Sequence, residues 1–214
     1  MILGSHNSMT YLKPAKWWMW FGRFVTKCQK HDYKHQYEAG VRYFDFRISY
    51  DRFGNPQFSH GLVDFKCPRN HSIYDVFEFL NEKKDTYCRI LFEKGTDIEK
   101  EKFKYFVKDL IKKYPNLRFT QVIDKKTWTQ LIDDEYLVKL PQPIKDCYAS
   151  NNGYFPQFSK LPGILKSKVW SGYIIDDLWP WIYTVFNNKK KFRQYKNDDV
   201  VLLMDFISKK TLNY

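Results

Sequence analysis

The most informative segment of the chain is RYFDFRIS, residues 42–49. In an extended strand, Phe44 and Phe46 lie on one face, whereas Asp45 and Arg47 lie on the other. A charged side chain on a buried strand destabilises the folded state unless it is paired or solvated. The segment therefore predicts a buried strand that carries a polar group toward its C-terminal end.

Four other segments share this pattern, in which a buried strand ends in an ionisable residue. They are ILGSH at 2–6, QFSH at 57–60, ILFE at 90–93 and LLMD at 202–205, which end in His6, His60, Glu93 and Asp205. One such residue alone is most simply a satisfied buried group. Five at equivalent positions predict one polar site at the C-terminal mouth of a barrel, where that fold places its chemistry.

The rest of the chain alternates between strand-like and helix-like segments. The predicted strands cover 1–6, 42–49, 57–62, 88–94, 118–123, 136–140, 145–150, 172–175 and 199–206, and the predicted helices cover 15–38, 72–84, 98–114, 126–133 and 177–188. This alternation predicts an α/β fold with a largely parallel sheet. We expect a small TIM-type (β/α) barrel, irregular or incompletely closed, because 214 residues is short for this fold.

Composition narrows the class of protein. We expect residues 1–214 to form a single domain, since 43% of them are hydrophobic and no linker or repeat interrupts them. The chain contains no run of about 18 apolar residues, so no transmembrane helix is predicted. Its N-terminus does not have the pattern of a secretory signal peptide. We therefore expect a monomeric cytoplasmic or peripheral membrane protein, with export by another route or a truncated start as the alternatives.

Charge and cysteine content suggest which partners and metals to consider. The net charge of +12 favours polyanions such as nucleic acid or an anionic membrane, but no nucleic-acid-binding motif accompanies it. The scattered cysteines predict reduced thiols rather than a disulfide framework or a zinc site, and they are Cys28, Cys67, Cys88 and Cys147. His31 and His35 have the spacing of helical metal ligands, yet we interpret them as a polar helix face.

The residues at the predicted mouth favour acid–base chemistry on a phosphate. His6 and His60 can supply a base and an acid near neutral pH. A carboxylate such as Asp205 can hold one imidazole in its useful tautomer, and the planar guanidinium of Arg47 suits phosphate oxygens. Because no serine or cysteine nucleophile accompanies them, the set favours attack by a hydroxyl within a phosphodiester substrate, which gives a cyclic phosphate.

Five segments of the chain form a recognisable series: GSHNSMTY at 4–11, QYEAGVRYFDFRIS at 36–49, SHGL at 59–62, ILFEKG at 90–95 and LLMDFI at 202–207. In order and spacing they resemble the catalytic X-domain of phosphatidylinositol-specific phospholipase C, and most of all its small bacterial, metal-independent members. The resemblance is dense over residues 1–95, sparse over 96–198, and returns at 199–207.

The resemblance implies a role for each matching residue. His6 would be the general base that takes the proton of the inositol 2-hydroxyl, and Asp205 would orient it. Arg47 would stabilise the charge on the pentavalent phosphate, and His60 would protonate the leaving diacylglycerol oxygen. The products of this phosphorus–oxygen lyase would be diacylglycerol and inositol 1,2-cyclic phosphate.

Three positions bear on catalysis and on metal dependence. Asn7 stands where bacterial members have an aspartate that supports the acid, which predicts slower acid catalysis by His60. Calcium-dependent eukaryotic members have an asparagine there, so Asn7, Asp45 and Glu93 form an alternative calcium set. Arg47 takes the place of a further carboxylate ligand, and its charge disfavours a cation. We therefore expect no cofactor, with calcium as the alternative.

Head-group recognition is the least determined part of the prediction. Asp45 and Glu93 are expected to reach the substrate from the mouth. Further candidates come from the sparsely matched region 118–175, and they are Lys139, Tyr148 and Tyr173. A different phosphodiester with a hydroxyl next to the phosphate remains an alternative substrate.

Two tryptophan-rich segments predict transient contact with a phospholipid membrane. The first is LKPAKWWMWFGRF at 12–24, with Trp17, Trp18 and Trp20 between cationic residues, and the second is DDLWPWIY at 176–183, with Trp179 and Trp181. Tryptophan favours membrane–water interfaces, and flanking cations favour anionic head groups. The alternative is that these aromatic residues cap the barrel core.

Other functions remain open. The nearest rival is a catalytically weak lipid-binding pseudoenzyme of the same fold, which the Asn7 departure would explain. Nucleic-acid binding rests on charge alone. A metal-dependent glycerophosphodiesterase needs a Glu-x-Asp pair on the second strand, and Asp45-x-Arg47 breaks that pair.

Overall fold

The computed structural model describes residues 1–144, 148–150 and 180–209. The strands are β1 Ile2–Ser5, β2 Lys13–Pro14, β3 Tyr43–Tyr50, β4 Pro56–His60, β5 Val63–Lys66, β6 Tyr87–Phe92, β7 Phe119–Asp124, β8 Thr129–Gln130, β9 Tyr148–Ser150 and β10 Val201–Met204. The α-helices are α1 Arg23–Thr26, α2 Tyr33–Glu38, α3 Tyr74–Glu82, α4 Asp97–Lys113 and α5 Pro180–Tyr195, and two 3₁₀ helices cover Trp17–Gly22 and Asp134–Tyr136.

Six parallel strands form the wall of the barrel. Their order is β9-β10-β1-β3-β6-β7, so the last strand lies beside the first. Among the described residues, β7 and β9 are not paired with each other. The prediction of an irregular TIM-type α/β barrel is confirmed.

Strand alternation separates two apolar clusters. The helix-facing cluster receives Phe44 and Phe46 from β3, which pack with Phe77 of α3. The second cluster fills the base of the barrel with Tyr43, Leu140, Val201 and Leu203. A side chain at Gly4 would clash here, since an added Cβ would stand 2.6 Å from Leu203. Odd-numbered β3 residues therefore face the barrel interior, as the alternation predicts.

An antiparallel edge, β3-β4-β5-β2, extends the sheet beyond the parallel wall. The sequence analysis missed β5, whose four residues VDFK follow a two-residue turn after His60. The 3₁₀ helix Trp17–Gly22 packs on β5, where the Asp64 backbone N–H lies 3.4 Å from the Met19 sulfur. This edge thus carries both His60 and the tryptophan-rich segment.

Three sequence predictions were wrong. The helix predicted over 15–38 is broken between Thr26 and Tyr33, where the backbone runs to the barrel mouth. Residues 126–133 form a turn and β8 instead of a helix, and the strand predicted at 136–140 is irregular. The strand predicted at 172–175 and the first part of that at 145–150 lie outside the described residues. Within the described part of the chain, no helix is long and apolar enough to cross a membrane.

Candidate active site

A buried ion pair lies directly above the apolar base of the barrel. Arg89 Nε of β6 donates to Asp45 Oδ1 of β3 over 2.7 Å, and both side chains are buried. Burial raises the pKa of the Asp45 carboxyl, but Arg89 and Arg47 outweigh burial and hold that pKa well below its usual range. Asp45 is therefore an anion that fixes two guanidinium groups.

His6 lies between a carboxylate and a guanidinium at the end of β1. Its Nδ1 is 2.8 Å from Asp205 Oδ1, and its Nε2 is 2.7 Å from Arg47 Nη2. Because a guanidinium can only donate, Nε2 accepts this bond and the ring proton lies on Nδ1, facing Asp205. The structure thus brings His6, Arg47 and Asp205 together, with a lone pair on Nε2 that suits a general base.

His60 stands on the other side of the site, at the end of β4. The His6 and His60 ring centroids are 6.2 Å apart and the rings are nearly perpendicular. The Nδ1–H of His60 donates to the Thr26 carbonyl over 2.8 Å, which directs Nε2 away from that contact. Burial, with the nearby Arg47 and His6, lowers the pKa of His60 to about 3. The ring is therefore neutral while the site holds no substrate.

Glu93 connects the two halves of the site. Its Oε1 accepts from the Gly61 backbone N–H over 2.7 Å, and its Oε2 lies 3.7 Å from Arg47 Nη1. Gly61 follows His60 and has φ of +56°, a conformation that favours glycine. Although burial favours the neutral acid, the charge of Arg47 and the hydrogen bond from Gly61 lower the pKa of Glu93. Glu93 is thus an anion that holds the turn beside His60.

Asn7 shapes the loop after β1, and among the described residues its side chain forms no hydrogen bond to His60. Its φ is +42°, which asparagine tolerates better than most residues, and its backbone N–H donates to Asp45 Oδ2 over 2.9 Å. Its side-chain Nδ2 is buried and has no hydrogen-bond partner among the described residues. The orienting group for His60 is therefore the Thr26 carbonyl rather than a side chain at position 7.

The calcium alternative does not fit these contacts. Asp45 accepts hydrogen bonds from Arg89 and from the Asn7 backbone N–H, and Glu93 accepts one from Gly61. Arg47 lies within 3.7 Å of both carboxylates. A calcium ion needs six to eight oxygen ligands, and here cationic groups occupy the space between the carboxylates.

Lys125 is a mouth residue that the sequence analysis missed. Leu91 of β6 pairs with Ile123 of β7, so Glu93 and Lys125, two residues further on each strand, are neighbours on the interior face. Burial and the nearby Arg47 lower the pKa of Lys125 to about 8. Its ammonium lies 4.3 Å from the centre of the Trp128 ring.

The sequence analysis also missed Arg89. The alternation of inward-facing residues along the strands could have identified both Arg89 and Lys125. The odd positions of CRILFEK at 88–94 are Arg89, Leu91 and Glu93, and only the last was considered. Lys125 follows the predicted strand 118–123 with the parity of Gln121 and Ile123. The helix predicted over 126–133 begins directly after this residue.

Of the remaining candidates, only Lys139 has a described side chain. Lys139 is exposed on the irregular segment after the second 3₁₀ helix. Tyr173 and Trp179 lie outside the described residues, and of Tyr148 and Trp181 only the backbone, in β9 and α5, is described.

Four aromatic residues of the 3₁₀ helix Trp17–Gly22 face solvent. The exposed fractions are 76% for Trp17, 46% for Trp18, 50% for Trp20 and 74% for Phe21, whereas Met19 is buried. Leu62, in the turn just after His60 and Gly61, is 79% exposed. We call these five exposed residues the apolar rim. Because the three tryptophans among them face solvent, they do not cap the core.

Comparison with known proteins identifies the fold. No protein-family model matches the chain, and no curated protein matches it. The phosphatidylinositol-specific phospholipase C from Listeria monocytogenes is similar in structure, with a TM-score of 0.56 and 17% identity, covering 99% of this chain and 89% of that one.

Two forms of the phosphatidylinositol-specific phospholipase C from Staphylococcus aureus are also similar. One carries pentafluoro-phenylalanine and has a TM-score of 0.55 and 13% identity, covering 96% of this chain and 85% of that one. The other is a histidine-to-tyrosine mutant with a TM-score of 0.55 and 14% identity, and the match covers 96% of this chain and 84% of that one. This chain therefore has the barrel fold of the bacterial phosphatidylinositol-specific phospholipases C.

Proposed function

We propose that the protein is a phosphoric diester lyase that cleaves phosphatidylinositol, or a related lipid phosphodiester, to diacylglycerol and a cyclic phosphate. The observation that carries the proposal is the arrangement of His6, Asp205 and Arg47 facing His60 at the mouth of this fold. The likeness to bacterial enzymes that act on phosphatidylinositol supports the substrate class.

In the proposed first step, the substrate takes the place of the contact between Arg47 and His6. The Arg47 guanidinium moves its donors from His6 Nε2 to the phosphate oxygens, and it stays charged because Asp45 and Glu93 offset its burial and raise its pKa. The freed Nε2 takes the proton of the neighbouring hydroxyl. Asp205 keeps the other ring proton in place and stabilises the imidazolium that forms.

His60 acts as the acid in the second half of the step. Its pKa of about 3 in the free site is too low for a proton donor at neutral pH. A bound phosphodiester anion favours the imidazolium, because an opposite charge within a few ångströms raises the pKa of histidine. His60 then delivers its Nε2 proton to the leaving glycerol oxygen. No metal ion takes part in this scheme.

Asn7 and Lys125 would add to substrate recognition. The buried Nδ2 of Asn7 is a donor next to the base, which suits a phosphate oxygen. Lys125 places a further cation at the mouth beside Glu93, which suits anionic or polyhydroxyl head groups.

The apolar rim would hold the mouth against a membrane. Trp17, Trp18 and Trp20 project from an element fixed to β5 by Met19, and Leu62 projects from the turn beside His60. Lys16 lies 5.9 Å from the Trp18 ring and Arg23 lies 5.3 Å from the Trp20 ring, so cations accompany the aromatic side chains. Such a surface favours an anionic lipid interface.

Phosphorus NMR of phosphatidylinositol vesicles incubated with the protein tests the proposed function. A cyclic phosphate resonance that the His6→Ala variant does not produce supports it. Vesicle binding without any cyclic or acyclic inositol phosphate would overturn the lyase and indicate the lipid-binding pseudoenzyme. Calcium and a chelator are added in separate samples, and activity that needs calcium would contradict the metal-free scheme.

A further inference from the structure

The buried thiol of Cys28 lies next to the His6–Asp205 pair. Cys28 Sγ, a ring nitrogen of His6 and a carboxylate oxygen of Asp205 all lie within 4.8 Å of one another, and all three residues are buried. The ring nitrogen that faces Asp205 is Nδ1. Cys28 Sγ is also 3.8 Å from His60 Nδ1. A sulfur, a nitrogen and an oxygen ligand therefore converge on one point on the Nδ1 side of the His6 ring.

The fold holds Cys28 in this place through the segment that breaks the predicted helix 15–38. The backbone N–H groups of Cys28 and Gln29 both donate to Thr10 Oγ1 over 2.9 Å. The Cys28 carbonyl accepts over 2.7 Å from the backbone N–H of Phe206, which is the residue after Asp205. Gln29 Nε2 donates to the carbonyls of His6 and Met204. Cys28 is thus fixed to the ends of both strands that supply the pair.

We propose that Cys28, His6 and Asp205 form an inhibitory binding site for zinc or a similar thiophilic divalent cation. Thiolate, imidazole and carboxylate are the three ligand types that zinc prefers. Ligand atoms around a tetrahedral zinc ion stand about 3.5 Å apart, so a movement of about 1 Å closes the set around the ion. A water molecule completes the coordination.

The charges in the site favour a divalent ion. One thiolate and one carboxylate neutralise the two positive charges, which lessens the cost of placing the ion in a buried site. Burial and the neighbouring Asp205 raise the pKa of the Cys28 thiol, so the thiol is protonated until the ion arrives and displaces that proton. Arg47 lies on the opposite, Nε2 side of the His6 ring, and so it does not occupy the zinc position.

Binding of the ion removes the base. The ion takes the lone pair of Nδ1, so the proton that His6 holds there moves to Nε2, and one proton leaves from Cys28. With a proton on Nε2, His6 can neither accept from Arg47 nor take a proton from a substrate hydroxyl. The site therefore inhibits rather than activates. The binding part of the proposal rests on the geometry alone, whereas the inhibition rests on the proposed function.

Binding is tested with cobalt(II) as a coloured substitute for zinc, and then with zinc in competition. We expect one cobalt ion per chain with a thiolate-to-cobalt charge-transfer band and tetrahedral d–d bands, which zinc displaces. Cys28→Ala should lose both bands and bind zinc at least about 100-fold more weakly, since loss of an outer partner alone costs 10- to 100-fold. Cys88→Ala, which removes another buried thiol, and Cys67→Ala should keep them.

Inhibition is measured separately, with each variant normalised to its own rate in chelator. Zinc should inhibit the wild type and Cys88→Ala at equal concentrations, and Cys28→Ala should need at least about 100-fold more. Equal cobalt spectra in the wild type and Cys28→Ala would overturn the site. If no phosphodiester is cleaved by any form, the proposed function fails while the spectra still decide the metal site.

Discussion

Arg47 donates to the Nε2 atom of His6 over 2.7 Å, so the atom that would accept the substrate proton is covered in the free protein. A substrate must therefore draw the guanidinium away before the base can act. His6 therefore becomes available as a base only when an anion binds whose two oxygens accept from the guanidinium of Arg47.

Replacing Arg47 tests that connection. Arg47→Lys keeps a positive charge but loses the planar fork, so we expect kcat to fall by about 100-fold or more, as for the loss of one donor to a transition state. The measurement is the rate on a soluble inositol phosphodiester. Arg52→Lys, at an exposed position, is the matched control and should leave the rate unchanged. Equal rates for the two variants would show that Arg47 does not act on the phosphate.

Asp205→Asn tests the tautomer of His6. The neutral amide no longer favours the proton on Nδ1, so we expect kcat to fall by about 100- to 10,000-fold with little change in KM. Nitrogen-15 NMR of the His6 ring, recorded with inorganic phosphate bound so that Arg47 no longer donates to Nε2, should show the proton leaving Nδ1. A fall in kcat with the tautomer unchanged would contradict the orienting role of Asp205.

The Asp45–Arg89 pair predicts a large effect on stability. Arg89→Met leaves a buried carboxylate with less compensation, which costs about 3–5 kcal/mol in the free energy of unfolding. The control is Arg42→Met, which breaks the more exposed Arg42–Asp85 pair and should cost about 0–1 kcal/mol. Urea denaturation measures both values, and similar losses would mean that burial does not set the strength of the pair.

Lys125 predicts a pH dependence of substrate binding. Because its pKa is lowered to about 8, the ammonium is charged below that pH and is lost as the pH rises through it. We therefore expect KM for an anionic lipid substrate to rise above about pH 8 in the wild type. Lys125→Met should show a raised KM without this dependence, and Lys126→Met, at the exposed neighbour, should behave as the wild type. A wild-type pH profile in Lys125→Met would refute the assignment.

The apolar rim predicts a separation of binding from chemistry. Trp17→Ala with Trp18→Ala should weaken binding to anionic vesicles by about tenfold or more, since each buried aromatic face contributes on the order of 1 kcal/mol. Hydrolysis of a soluble phosphodiester should stay near the wild-type rate. Tyr105→Ala removes an equally exposed aromatic residue from α4 and serves as the control. Equal losses in vesicle binding and soluble hydrolysis would argue against the membrane role.

Strand alternation predicted most of the barrel because buried strands with period-two patterns leave a clear signal. The same signal placed His6, Arg47 and Asp205 at neighbouring strand ends, where the structure joins them by hydrogen bonds. The helix predicted over 98–114 is found as α4, although Ile98 of this helix is 72% exposed. It lies in the first turn, where no other element covers it.

The errors lie where tertiary contacts override local preference. The 15–38 segment has a helical composition, yet the backbone N–H groups of Cys28 and Gln29 donate to Thr10 Oγ1. The side chain of Gln29 donates to the carbonyls at the ends of β1 and β10. Trp128 adopts a φ of +57°, which does not fit the helix predicted over 126–133. The neighbouring residues in the sequence do not predict this conformation. Such contacts between distant segments leave no periodic trace in a single sequence.

The pairing of β1 with β10 has a consequence for biosynthesis. His6 and its carboxylate partner are 199 positions apart, so a nascent chain holds the imidazole long before residue 205 has left the ribosome. Until then the imidazole lacks the carboxylate that accepts its Nδ1 proton. The proposed active site is therefore complete only when β1 and β10 pair, so the onset of the proposed activity would report that pairing.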